Sequence, residues 1–155
     1  MRNRLTVIGL LVVMAFASGC PKEIPEIPVI NPKLTEEEQI MLVLEDVWRG
    51  MEARRIYQVM ANVSRSYQDR QGRDYDAIAA YLNKVFDEYR QIKIARVQPR
   101  VIVQGSQARA VETFGTIAKP DPRSEYPPID LHGQVTVFLE KVDSRWLIVE
   151  WGSIQ

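Results

Sequence analysis

Cysteine and histidine are almost missing from this chain of 155 residues, where Cys20 and His132 each stand alone. A single cysteine permits no intrachain disulfide, and one cysteine with one histidine permits no Cys/His metal cluster, so no metal is expected. An excess of either charge is lacking too, with 20 basic residues against 20 acidic ones. That balance leaves no electrostatic footprint for nucleic acid or for an anionic membrane surface. There is no internal repeat and no glycine-rich phosphate loop, so no cofactor is expected. The longest apolar run, Leu5 to Phe16, is too short for an ordinary membrane span. What is present is 46% apolar residues, enough for one core in a chain of this length.

Arg2 and Arg4 precede that apolar run and Ala17-Ser18-Gly19 follow it, the pattern of an export signal over residues 1–19. Small residues immediately before a cysteine resemble the bacterial lipoprotein signal, with Ala17 where leucine is commoner. The resemblance implies that Cys20 is acylated and becomes the mature N-terminus, a tether worth roughly 0.8 kcal/mol per buried methylene. The alternative is an ordinary secretory signal that happens to end near a cysteine. Pro21 stands where aspartate would resemble an inner-membrane retention signal, so the expected location is the outer membrane of a Gram-negative cell, facing the periplasm. Without residues 1–19 the net charge is about −2.

Residues 20–34 continue with four prolines (21, 25, 28, 32) and read as a semi-rigid polyproline spacer or as a proline-rich ligand for a partner. The folded domain is expected over 35–155. Thr35 and Glu38 have the spacing of a capping box, and Ile40, Leu44, Val47 and Met51 recur at helical period with Trp48 beside them. At Gly50 the apolar face shifts to Ile56, Val59, Met60 and Val63, which predicts a kink or a second short helix. Ser66 to Gly72 is a short extended piece ending in a turn. Asp74 then caps a third helix whose buried face is Ile78, Leu82, Val85, Phe86 and Tyr89.

Beyond Tyr89 the period changes to two. Strands are expected over 92–103 and 107–118, separated by Gln104-Gly105-Ser106, with Pro99 at an edge or bulge. After a proline-rich connection over 119–132, strands 133–142 and 145–154 meet across Asp143-Ser144. The expected class is α+β, with three N-terminal helices packed on a four-stranded antiparallel sheet.

The string Tyr67-x-Asp69-x-x-Gly72-x-Asp74, then Ile78 and Phe86, Val103-x-Gly105-x-x-Ala108, Gly133, Phe138-Leu139-x-Lys141-Val142 and Trp146-x-Ile148 resembles the nuclear transport factor 2-like superfamily over residues 36–153. The resemblance implies a cone, in which a strongly curved sheet wraps the first helix around a pocket. It also implies a choice of functions, because the superfamily holds isomerases, cyclases and dehydratases as well as binding domains. Asp69 sits where isomerase-like members carry a catalytic base, with Tyr67 and Tyr57 as candidate partners by residue type. The other reading of Asp69 is a turn residue bonded to its own backbone.

Trp48, Tyr57, Phe114, Trp146 and Trp151 are candidates to line a ligand cavity, or are simply core. Trp146 and Ile148 are expected on one face of the last strand, with Leu147, Val149 and Trp151 on the other. Glu112, Glu140 and Glu150 are expected to pair with Arg96, Arg100 and Arg109 on a solvated sheet face. The functional expectation is an anchored lipoprotein that binds a small apolar ligand or peptide, or serves in an envelope assembly, with pairing into a homodimer through the sheet. The alternative is an isomerase, cyclase or dehydratase using Asp69.

Overall fold

The computed structural model describes residues 33–155, which form one compact unit; the leader, Cys20 and the spacer as far as Pro32 lie outside the described residues. Helix α1 spans Glu36–Glu52 and begins with the capping box, Thr35 accepting from the Glu38 amide while the Glu38 carboxylate accepts from the Thr35 amide. Three glutamates in its first turn also suit the positive end of the helix dipole. Its buried stripe is Ile40, Leu44, Val47 and Trp48. Each such side chain contributes roughly 1.5–3 kcal/mol on burial.

At Gly50 the structure decides between a kink and a second helix. Helix α1 runs on to Glu52, Arg54 turns the chain at φ 55°, and a short helix α2 follows over Ile56–Met60. Gly50 serves close approach instead of bending: a Cβ there would stand 2.8 Å from Cγ2 of Val59. Asp74 caps α3, Tyr75–Glu88, by accepting from the Ala77 amide, and Ile78, Leu82 and Phe86 are its buried residues.

The sheet contains five strands, because the segment expected as one strand over 92–103 is broken in two. Strands β1 (Tyr89–Arg96) and β2 (Arg100–Gln104) both pair antiparallel with β3 (Gln107–Pro120) along the same edge. Val97 to Pro99 form the break, where proline has no amide to give the ladder. Strands β4 (Ile129–Val142) and β5 (Arg145–Trp151) complete the order β1-β3-β4-β5. They are joined by Asp143 and Ser144, both at positive φ, as a tight two-residue hairpin demands. Strand β4 starts four residues earlier than expected, which shortens the proline-rich connection.

Helix α1 touches β1, β2 and β5, so strands at opposite ends of the sheet meet one helix and the sheet must curl around it. Polar contacts pin the helix along its length. Glu36 accepts from Lys141 Nζ and, at 2.7 Å, from Trp146 Nε1; farther along, Glu45 pairs with Arg96. The open edge of β5 is covered by residues 62–68, with Ile148 bonded to Asn62 and Ser64, and Gln68 bonded to Val149.

One bulge changes which residues face inward. The β4–β5 register steps from Phe138↔Glu150 to Leu139↔Ile148, leaving Val149 as the extra residue. Strict alternation puts Trp151 on the face opposite Trp146. The inserted residue brings it back to the side of Trp146 and Ile148, where it packs against Tyr67 with ring centroids 5.5 Å apart.

Candidate functional site

Between α1, α3 and the concave side of the sheet lies a cavity of about 410 Å³. Volumes of roughly 300–1,000 Å³ are typical of small-molecule sites. Leu44, Val47, Trp48 and Met51 on α1 form one wall, and Ile78, Tyr81 and Leu82 on α3 form another. Ile94, Phe114 and Val135 enter from β1, β3 and β4, and Trp151 with the following Gly152-Ser153-Ile154 forms the last side. Gln71 and Arg73 are the polar contribution of the turn before α3.

One acid belongs to this wall. Glu112 lies on β3 in phase with Ala108, Ala110, Phe114 and Thr116, so the two-residue period carries it inward with the core. It is 5% exposed, and its Oε2 accepts from Trp48 Nε1 at 2.9 Å. The other oxygen, Oε1, is shut off from solvent and has no hydrogen-bond partner among the described residues. Burial raises the Glu112 pKa from 4.5 to about 7, against the Trp48 hydrogen bond and the positive charge of Arg96, which both favour the ionised form. Arg96 lies over the Trp48 ring, 4.0 Å from its centroid. A carboxyl group poised at neutrality can hold, give or take a proton there.

Asp69 is also buried, at 6% exposure, but its chemistry is spent locally. Oδ1 accepts from the amides of Gln71 and Arg73 at 3.0 and 2.9 Å; Oδ2 accepts from Arg73 Nε at 2.7 Å and from the Tyr67 hydroxyl at 3.2 Å. Burial alone would raise its pKa. The Arg73 amide, the Arg73 guanidinium and the Tyr67 hydroxyl outweigh burial, and the pKa falls below its ordinary value. Asp69 does not line the cavity. Its geometry is that of the turn residue bonded to its own backbone, and a stabilised carboxylate with four donors is a poor base. Tyr67 shares that network, and its own pKa is pushed up to about 12, chiefly by burial.

Of the aromatic candidates, the structure brings Trp48, Phe114 and Trp151 together at the cavity. Tyr57 is apart from them, 89% exposed on α2. Trp146 is 2% exposed and locked to Glu36, a core residue outside the cavity wall. His132 is on the outer face of β4, solvated beside Asp130.

The expected ion-paired sheet face is corrected at its centre: Glu112 points to the interior, Arg96 pairs with Glu45 of α1, Glu140 accepts from Ser64 and Ser66, and Glu150 pairs with Arg70. Composition had suggested arginine partners for Glu112. The signal for the inward position was available in ARAVETF, where Glu112 shares parity with Ala108, Ala110 and Phe114. Among the described residues, no group of three His, Cys, Asp or Glu side chains is placed to hold a metal ion.

By sequence, no family model and no curated protein matches the chain. By structure, it is similar to a putative scytalone dehydratase from Novosphingobium aromaticivorans at TM-score 0.66 and 16% identity, over 76% of this chain and 82% of that one. It is similar to a nuclear transport factor 2-like superfamily protein from Salmonella enterica serovar Typhimurium at TM-score 0.64 and 14% identity, over 75% and 87%. A hexachlorocyclohexane dehydrochlorinase aligns at TM-score 0.64 and 12% identity, over 76% and 83%. At such identities the likeness speaks for architecture, and chemistry must be argued from the site. Helices followed by a curled antiparallel sheet around an inner cavity, together with these neighbours, identify the described domain as a nuclear transport factor 2-like fold.

Proposed function

We propose that this protein is a ligand-binding cone that receives a small, largely apolar molecule and is tethered to a membrane through Cys20. The observation that carries the reading is the cavity itself, apolar on most sides and supplied with one acid whose Oε1 lacks a partner. A core built only for stability would fill that space, because an open volume forfeits dispersion contacts and an unpaired polar atom adds a desolvation cost. The test is native mass spectrometry of the chain expressed from its full sequence and purified under gentle conditions. A small-molecule mass excess is expected, and Thr116→Trp, which fills the cavity, should remove it. A clean mass, with tryptophan fluorescence unmoved by added hydrophobic probes, would overturn the reading.

The tether rests on the leader and the spacer. Cys20→Ala should release the protein from the membrane fraction or leave the precursor unprocessed. Persistence of lipid labelling in that variant would refute the tether.

A second reading has its own support: a proton-transfer enzyme of the dehydratase or isomerase kind, with Glu112 as the base in place of Asp69. Its support is a buried carboxyl group, raised by burial to a pKa of about 7, in the wall of a largely apolar cavity. In deuterated buffer such an enzyme should place deuterium next to the carbonyl of a bound ketone, and Glu112→Gln should stop it. Ketones that bind without exchange would leave the cone a receptor.

A further inference from the structure

We infer that the molecule received by the cone is an amphipathic acid, with its carboxylate held at the cavity mouth by Arg73 and its apolar body inside. The inference rests on the ligand-binding reading above and narrows it to one chemical class.

Exposure shows which side of the cavity is open. Gln71, Tyr81, Ser153 and Ile154 are the exposed residues of its wall, and Arg73 is partly exposed beside them. Leu44, Val47, Ile78 and Leu82, by contrast, are buried. The mouth therefore lies between the turn before α3, α3 itself and the residues after β5. A guest meets polar side chains at the entrance and hydrocarbon beyond them, which suits an amphiphile with its head outward.

The hydrogen-bonding groups of the turn decide the chemistry of that head. A guanidinium only donates, so the Gln71 side-chain oxygen is the end turned to Arg73 Nη2, at 3.2 Å, and the Gln71 amide nitrogen is left to donate elsewhere. Arg73 Nε is spent on Asp69, while Nη1 has no partner among the described residues. The acceptors of the turn are thus engaged and its donors are in surplus, and a head that accepts hydrogen bonds fits where an ammonium group does not. The hydroxyls of Tyr81 and Ser153 can serve either way.

The Asp69–Arg73 pair is neutral as a whole and asymmetric in space. The Asp69 side chain has 0% exposure and the Arg73 side chain 31%, so the carboxylate lies behind and the guanidinium is the end that a ligand meets. It is also held in place, with Nε 2.7 Å from Asp69 Oδ2 and the guanidinium carbon 4.7 Å from the Tyr81 ring centroid. A fixed planar fork of N–H groups matches the two oxygens of a carboxylate better than a lone hydroxyl. The reverse orientation is disfavoured, because a carboxylate carried inward would approach the buried acid Glu112.

The experiment compares three probes on one skeleton, 6-phenylhexanoate, 6-phenylhexan-1-ol and 6-phenylhexylamine. Each is titrated by calorimetry into the chain expressed from its full sequence at about pH 6, where Glu112 is largely protonated and the probe acid is ionised. The acid should bind about tenfold or more tightly than the alcohol, with the amine weakest. Gln71→Glu, at an exposed position, supplies a competing carboxylate to Arg73 and should bring the acid-to-alcohol ratio down to about one. Arg73→Gln, checked for folding by its melting curve, should do the same. Alcohol or amine binding as tightly as the acid in the wild type, or an acid preference that survives in Gln71→Glu, would overturn the acid while leaving an apolar receptor. Failure of all three probes to bind would take the ligand-binding reading down with it. Should Arg73→Gln not fold, the wild-type order and Gln71→Glu decide.

Discussion

Two buried carboxylates, Asp69 and Glu112, sit in the same small domain and are driven in opposite directions. Asp69 occupies a turn in which the chain doubles back, so two amides, a guanidinium and a hydroxyl converge on it, and ionisation is favoured despite burial. Glu112 occupies a central strand, where the backbone amides are committed to neighbouring strands. One indole is the donor it receives, and burial prevails. Burial sets the cost of a charge, and local backbone geometry decides whether enough donors are at hand to offset it. The strand carboxyl is the one left with chemistry to spare.

The largest effect should come from breaking the satisfied partner. Asp69→Ala strands two amides and the Arg73 guanidinium, and we expect a loss of about 3 kcal/mol or more in urea unfolding at neutral pH. The depressed pKa places the Asp69 contribution above its ordinary value of 3.8, to be lost as pH falls through the lower folded value. A neutral-pH stability equal to wild type would mean that the turn does not depend on this carboxylate.

Glu112→Gln should act with the opposite sign. Between 4.5 and about 7 the folded wild type holds a proton that the unfolded chain has released, so its stability falls as pH rises through that window. Glutamine does not titrate. The variant should match wild type near pH 4 and exceed it by about 3 kcal/mol near pH 8. A difference that stays flat with pH would contradict the raised pKa.

Two smaller changes sharpen the contrast. Trp48→Phe removes the indole donor and should cost about 1–2 kcal/mol while moving the Glu112 titration above its wild-type midpoint, followed by carbon NMR of the side-chain carboxyl. An unmoved midpoint would argue against the indole as its partner. Gly72 holds φ 78° in the Asp69 turn with open space around the site of a Cβ. Gly72→Ala is therefore a conformational test free of clashes, expected to cost about 1 kcal/mol by thermal melting. No change there would show that the turn relaxes without loss of the network.

Much of the contrast can be traced in the chain itself. The cap residues Thr35 and Asp74, the helical stripes of α1 and α3, and the turn at Gly72 follow from local pattern, because each is set by residues within a few positions of one another. The broken strand at Val97 to Pro99 and the bulge at Val149 were less legible. Pro99 signals a fault in the ladder without fixing its length, and nothing in RWLIVEW marks the extra residue that returns Trp151 to the inner side. That bulge separates Trp151, a wall of the cavity, from Trp146, a core residue tied to Glu36. Tyr57 was a candidate by residue type alone, and type does not place a side chain on a short helix's exposed side.

The sequence by itself determined helices α1 and α3 with their caps and the change of period near Tyr89, since these depend on neighbours along the chain; it placed Glu112 on a solvated face, and the structure turned that residue inward. The tertiary structure alone decided that Trp48, Glu112 and Trp151 share one cavity, that Arg96 reaches across to Glu45, and that one Glu112 oxygen has no partner among the described residues. These depend on curling a sheet around a helix, which brings together residues 64 positions apart in the case of Trp48 and Glu112. The desolvation that shifts a pKa exists only where such distant surfaces exclude water together.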